Sequence, residues 1–143
     1  CALSGPAHGG ASAALARLVD EAAQGQAGAT VQRWLDAYGQ LPGFGHPLYP
    51  EGDVRARALL DQVQPDSRMI ELAETVYAET GLHPNIDFAL TVATRTLGLP
   101  EDAPFTLFLL GRSVGWAAHA IEQAQSRHLI RPRGIYTGPV AAL

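Results

Sequence analysis

Leu41-Pro42-Gly43-Phe44-Gly45-His46-Pro47-Leu48-Tyr49-Pro50-Glu51-Gly52-Asp53-Val54-Arg55-Ala56-Arg57 is the stretch around which the chain is organised. It holds too much glycine and proline to be helix or strand. Gly43 and Gly45 open backbone angles closed to other residues, while Pro42, Pro47 and Pro50 remove freedom around His46. A helix starts where the loop ends. Asp53 is a good N-cap, Ala56, Leu59, Leu60 and Val63 follow at helical spacing, and Arg55 falls in the first turn close to the histidine. The loop reads either as a rigid connector with an incidental histidine or as a device that presents one.

Outward from this loop, the segments from Ala11 to about Arg127 carry the helical period. Ala11, Ala14, Leu15, Leu18, Val19 and Ala22 predict a helix directly after Ser4-Gly5-Pro6-Ala7-His8-Gly9-Gly10, which puts His8 just ahead of a helix N-terminus. Thr30 is expected to cap a second helix with the stripe Val31, Trp34, Leu35 and Tyr38, ended by Gly39. Pro65-Asp66-Ser67 opens another through Met69, Leu72, Ala73, Val76 and Tyr77, closed by Gly81. Asp87 lies at the start of a buried helix over the apolar stretch Phe88 to Leu97. From Pro104 to about Arg127 a long helix follows, and its apolar length raises the question of a membrane span. Arg112, His119 and Glu122 interrupt it, so it is expected to be a buried core helix with one polar face. Residues 131 to 139 read as extended. No segment alternates like a strand, so the fold class is all-α.

Composition narrows the function. The 143 residues are enough for one domain with a real core. Cys1 is the one cysteine, which gives no internal disulfide and no metal cluster; intracellular, cytoplasmic residence is the default, and no export signal is evident. Ten basic against fourteen acidic residues, a formal charge of -4, argue against a nucleic-acid surface. All ten basic residues are arginines. Lysine Schiff-base chemistry is thereby excluded, while planar forks suited to carboxylates remain.

Three separated segments each present one acid-base group from a helix start or a glycine-rich loop: His8, His46 and Asp87. Together they suit removal of a proton beside a thioester carbonyl and attack of the resulting enol on a ketone. That reaction asks for a carboxylate base, a neutral donor to the enolate oxygen and a donor to the ketone. His8 suits the second role, because the positive end of the following helix favours neutral imidazole.

These residues carry a resemblance over nearly the whole chain to the C-terminal portion of the citrate synthase family. Gly5-Pro6-Ala7-His8-Gly9-Gly10 resembles the segment bearing the enol-stabilising histidine, and Leu41 to Arg55 resembles the histidine loop with its downstream Asp-Pro-Arg. Asn85-Ile86-Asp87-Phe88 resembles the segment of the catalytic base. Gly111-Arg112, Gly115-Trp116-Ala117-Ala118-His119 and Arg131-Pro132 resemble the closing helix and tail.

By position, the resemblance implies that His8 holds the enol of acetyl-CoA, Asp87 removes the proton and His46 donates to the ketone of oxaloacetate. Arg55 and Arg112 would grip the dicarboxylate, and Arg131 would reach into a neighbour's site in a dimer. Pro42, Gly43, Phe44 and Gly45 would contact the coenzyme. It further implies a coenzyme A thioester as substrate, with no tightly bound cofactor and no metal, and no nucleic-acid or membrane partner.

A small domain over roughly 9–103 and a closing large-domain helix and tail over roughly 104–143 are expected. The chain then reads as a piece of a longer or dimeric enzyme, inactive alone, that forms a homodimer or pairs with an N-terminal half. Citryl-CoA lyase or methylcitrate synthase-type chemistry, or a non-catalytic acyl-CoA-binding or oligomerisation module, are the other readings. Two departures bear on the coenzyme: Pro47 and Pro50 stand where many members carry cations for its phosphates. Arg112 has a plainer alternative as an ion-pair partner of Glu122, His119 as a packed or hydrogen-bonded helix residue, and His83 and His128 as surface residues.

Overall fold

The computed structural model describes residues 11–126 together with 131 and 134. The described residues form six helices: α1 (Ala11–Gln24), α2 (Ala27–Tyr38), α3 (Val54–Val63), α4 (Ser67–Thr80), α5 (Ile86–Thr96) and α6 (Ala103–Ser126). Among the described residues there is no strand beyond a single bridge between Phe44 and Pro84. The all-α expectation holds.

The helix ends follow local chemistry. Asp53 and Asp66 cap α3 and α4 by accepting the backbone N–H of Arg55 and those of Arg68 and Met69. Gly39 and Gly81 end α2 and α4 in the left-handed region, at φ 68° and 72°. The second helix departs from expectation at its start. It begins at Ala27, one turn before Thr30, because extended Gln26 already accepts the Thr30 N–H. Thr30 is therefore a buried residue inside the helix and caps nothing.

The core is built from Leu15, Leu18 and Val19 of α1, Val31 and Trp34 of α2, Met69, Leu72 and Val76 of α4, and Phe88 and Val92 of α5. Leu41 and Phe44 of the organising loop enter the same cluster, and the Phe44 and Phe88 rings lie 5.0 Å apart. α5 is the axis of the body, buried at every position from Asp87 to Thr94. Its two buried threonines are satisfied within the helix, Thr91 donating to the Asp87 carbonyl and Thr94 to that of Leu90. Glu21 of α1 joins α2 by accepting from Trp34 Nε1 and Arg33 Nη2.

α6 corrects the expectation of a buried core helix. Pro104 is its one buried residue; partial burial continues to residue 109 and then recurs at Gly115 and Gln123 alone. Leu107, Leu110, Val114, Trp116 and Ile121 are exposed, because the helix runs past α5 and no other described element covers its apolar face. None of the described helices is long and apolar enough to cross a membrane.

Candidate functional site

The organising loop is stitched to the segment before α5 along its length. Gly45 N–H donates to the His83 carbonyl at 2.8 Å, Asn85 N–H to the Gly43 carbonyl at 2.9 Å, and Asn85 Nδ2 to the Gly45 carbonyl at 2.9 Å. Gly43 is required for this closeness. At φ 83° a Cβ there would stand 2.7 Å from Leu15 Cδ2 and 3.3 Å from Phe88 Cβ. The loop that carries His46 and the residues that lead into Asp87 thus form one rigid ledge.

On that ledge His46 is oriented by its own loop. Leu48 N–H donates to His46 Nδ1 at 3.1 Å, so in the neutral ring the proton sits on Nε2 and that atom is the donor. The imidazole packs on the Tyr49 ring at 4.9 Å between centroids, and the Arg55 guanidinium lies 4.9 Å from the same ring. Tyr49 therefore ties His46 to Arg55.

Arg55 is held in turn by Asp53, whose side chain is fully buried. Arg55 Nε donates to Oδ1 at 2.9 Å and Nη2 to Oδ2 at 2.8 Å, a bidentate pair. Oδ1 also takes the Arg55 N–H, and Oδ2 takes the Ile86 N–H at 3.0 Å from the first residue of α5. Burial pushes the Asp53 carboxyl up, but the Arg55 fork, the backbone donors and the arginine charge together hold it below the ordinary aspartate value. Arg55 is raised, chiefly by its bonds to Asp53, with burial opposing and the charges of Tyr49 and Asp87 adding.

Asp87 is 4% exposed in the first turn of α5, where Asn85 caps the helix by accepting the Asp87 N–H at 2.9 Å. Of the predicted residues, the structure thus brings His46, Arg55 and Asp87 onto adjoining loop and helix ends.

The others stand apart. Phe44 points into the core and Gly43 is packed against Leu15 and Phe88, so the 42–45 segment has backbone rather than the Phe44 side chain to offer a ligand. Arg112 is exposed on α6, and its alternative as partner of Glu122 fails, since ten residues set the two about 15 Å apart along the helix, and Glu122 meets His119 Nδ1 at 3.4 Å. His119 is hydrogen-bonded as expected but exposed. His83 is half-buried and packs on Tyr77 at 4.6 Å, more than a surface residue. Arg131 is exposed. His8 and His128 lie outside the described residues. Sequence reasoning missed Tyr49, Asn85 and the wider role of Asp53; the proline directly after Tyr49, the proline directly before Asn85 and the glycine directly before Asp53 were the available signals. A cavity of about 1300 Å³ between α1, α4, α5 and α6 is lined by none of His46, Arg55, Asp87 or Arg112. No group of three or more metal-ligating side chains stands together among the described residues.

The chain as a whole has known relatives. The sequence profile described as "Citrate synthase, C-terminal domain" matches residues 1–133. The chain belongs to the citrate synthase family. It is 34% identical to "Citrate synthase 2" of Bacillus subtilis and 36% identical to "2-methylcitrate synthase 1" of Corynebacterium glutamicum, in each case over 96% of this chain. It covers 40% and 39% of those relatives, so the chain spans about two fifths of their length. Among solved structures, the ternary complex of Thermoplasma acidophilum citrate synthase with carboxymethyl coenzyme A and oxaloacetate is similar at a TM-score of 0.71 and 29% identity, over 99% of this chain and 42% of that one. Citryl-CoA lyase from Hydrogenobacter thermophilus is similar at a TM-score of 0.72 and 25% identity, over 98% of this chain and 62% of that one. Members of the family are enzymes that act on coenzyme A thioesters.

Proposed function

We propose that this chain supplies the acid-base half of a citrate synthase-type condensation, joining acetyl-CoA to oxaloacetate through an enol. The observation that carries the reading is the arrangement of His46, with Nε2–H as donor, beside a clamped Arg55 on a ledge bonded to the start of the helix bearing Asp87. Asp87 takes the proton from the acyl carbon, and the released electron pair moves to the thioester oxygen, where His8 donates. The enol carbon then bonds to the ketone carbon while His46 gives a proton to the ketone oxygen. Water finally cleaves the thioester and releases coenzyme A. Arg55, Arg112 and Arg131 bind the carboxylates, and the backbone of Pro42, Gly43, Phe44 and Gly45 meets the coenzyme, which is a substrate rather than a resident cofactor.

The division into a small domain over 9–103 and a closing part over 104–143 belongs to the same reading. So does a homodimer, or pairing with an N-terminal half, in the cytoplasm. The exposed stripe of α6 supports such pairing, and a chain two fifths of its relatives' length supplies only part of the enclosure that keeps water from such a reaction. A second reading, cleavage of citryl-CoA, draws on the similarity to the lyase, since the same groups run the carbon-carbon bond step in either direction.

The test is His46→Ala in the protein's native assembly. Condensation should fall at least tenfold further than exchange of the acyl protons with solvent, because the partner of His46 is the ketone. Equal loss of both contradicts the assignment.

A further inference from the structure

The Asp53 carboxylate does more than cap α3. Beyond the Arg55 N–H that it caps, its oxygens serve two other parts of the site: the Arg55 fork, along Nε and Nη2, and the N–H of Ile86, one residue before Asp87. It is buried with both oxygens bonded, whereas a solvent-facing cap such as Asp66 serves only its own helix. A cation in the first turn of a helix is poorly placed against the dipole, so Arg55 would not hold this position unaided. With Nε and Nη2 bonded to Asp53 and the Arg55 side chain still 43% exposed, the remaining N–H groups of the planar guanidinium are left for a second carboxylate.

We infer that Asp53 is a positioning residue that sets the keto-acid affinity of the site by aiming the free edge of Arg55 and fixing where α5, and so Asp87, begins. The inference rests on the condensation reading and deepens it. Three roles for a buried carboxylate here make different demands. As a mere cap, it is replaceable by serine. As a mere charge, its loss makes the site more positive and tightens a dianion. As a positioning residue, its loss weakens the dianion despite the gain in positive charge.

The experiment compares Asp53→Asn and Asp53→Ser with the parent in the native assembly, measuring KM for oxaloacetate and for acetyl-CoA, kcat, and thermal stability. Serine keeps the α3 cap but loses the fork and the reach to Ile86; asparagine keeps the shape but turns an amide toward the guanidinium. Both variants should raise KM for oxaloacetate by tenfold or more while KM for acetyl-CoA stays within twofold, and Asp53→Ser should do so while remaining folded. An unchanged or lowered oxaloacetate KM in Asp53→Asn overturns the inference, as does full activity in Asp53→Ser. A parent without any oxaloacetate-dependent turnover overturns the condensation reading instead, which keeps the two failures apart. If neither variant folds, the parent's oxaloacetate KM is compared with that of Arg55→Lys, which keeps the charge but not the fork: a KM within twofold overturns the inference, and a tenfold rise supports it.

Discussion

Gly43→Ala tests the ledge itself. The glycine stands at φ 83°, where an L-residue costs about 1–2 kcal/mol. The new methyl would also meet Leu15 Cδ2 at 2.7 Å, Leu15 Cδ1 at 3.0 Å and Phe88 Cβ at 3.3 Å. Leu15 is fully buried and cannot swing away, so overpacking adds about 1–3 kcal/mol. Reduced freedom of the unfolded chain returns about 0.4–1 kcal/mol. The net expectation is a loss of about 2–4 kcal/mol. Urea unfolding followed by circular dichroism measures it, with Gly98→Ala as the comparison. Gly98 has φ 61° but nothing within 4 Å, so its substitution costs the backbone term alone, about 1 kcal/mol. Equal destabilisation of the two variants would refute the argument that close packing of the loop on α1 and α5 holds the site.

Gly28→Ala should act in the opposite direction, stabilising by about 0.5–1 kcal/mol, since the residue lies within α2 with open space around it; a destabilised variant would count against the assigned helix start. Asp53 has a native pKa below its unfolded value, so its stabilisation is present above the ordinary aspartate pKa of about 3.9 and is lost as pH falls through the lower native value. The destabilisation of Asp53→Asn at pH 7 should therefore shrink in urea titrations below about pH 4, and a difference independent of pH would contradict the clamp. Leu110 and Val114 are 61% and 74% exposed and share a stripe with Leu107 and Ile121. Sedimentation velocity should show self-association that Leu110→Glu with Val114→Glu weakens at least tenfold; a parent that is monomeric at high concentration would contradict it.

Much of this fold was legible because its signals are local. Asp53 and Asp66 cap, Gly39 and Gly81 terminate, and the apolar period places one face of α1, α2 and α4 inward. Thr30 misled because a good capping type also serves inside a helix when a small-residue turn such as Ala27-Gly28-Ala29 can be helical before it. α6 misled for a different reason: apolar residues state that a face needs cover, but not which element provides it. The site shows the same limit. His46, Arg55 and Asp87 could be picked by type and setting, whereas the bonds from Asp53 to Ile86 and from Asn85 to Gly45 join residues 33 and 40 positions apart, which no local pattern specifies.

The claim that this ledge performs proton abstraction beside a thioester stands most directly on Asp87. Asp87→Asn keeps the shape of the side chain and the first-turn position in α5, yet it cannot accept a carbon-bound proton. Hydrogen-deuterium exchange at the acyl methyl of acetyl-CoA, measured in the native assembly with a non-reacting oxaloacetate mimic, isolates that step from condensation. Exchange should fall by roughly 10² or more, the scale of a lost general base, while binding of the mimic changes far less. Exchange at the parent rate in Asp87→Asn would contradict the account.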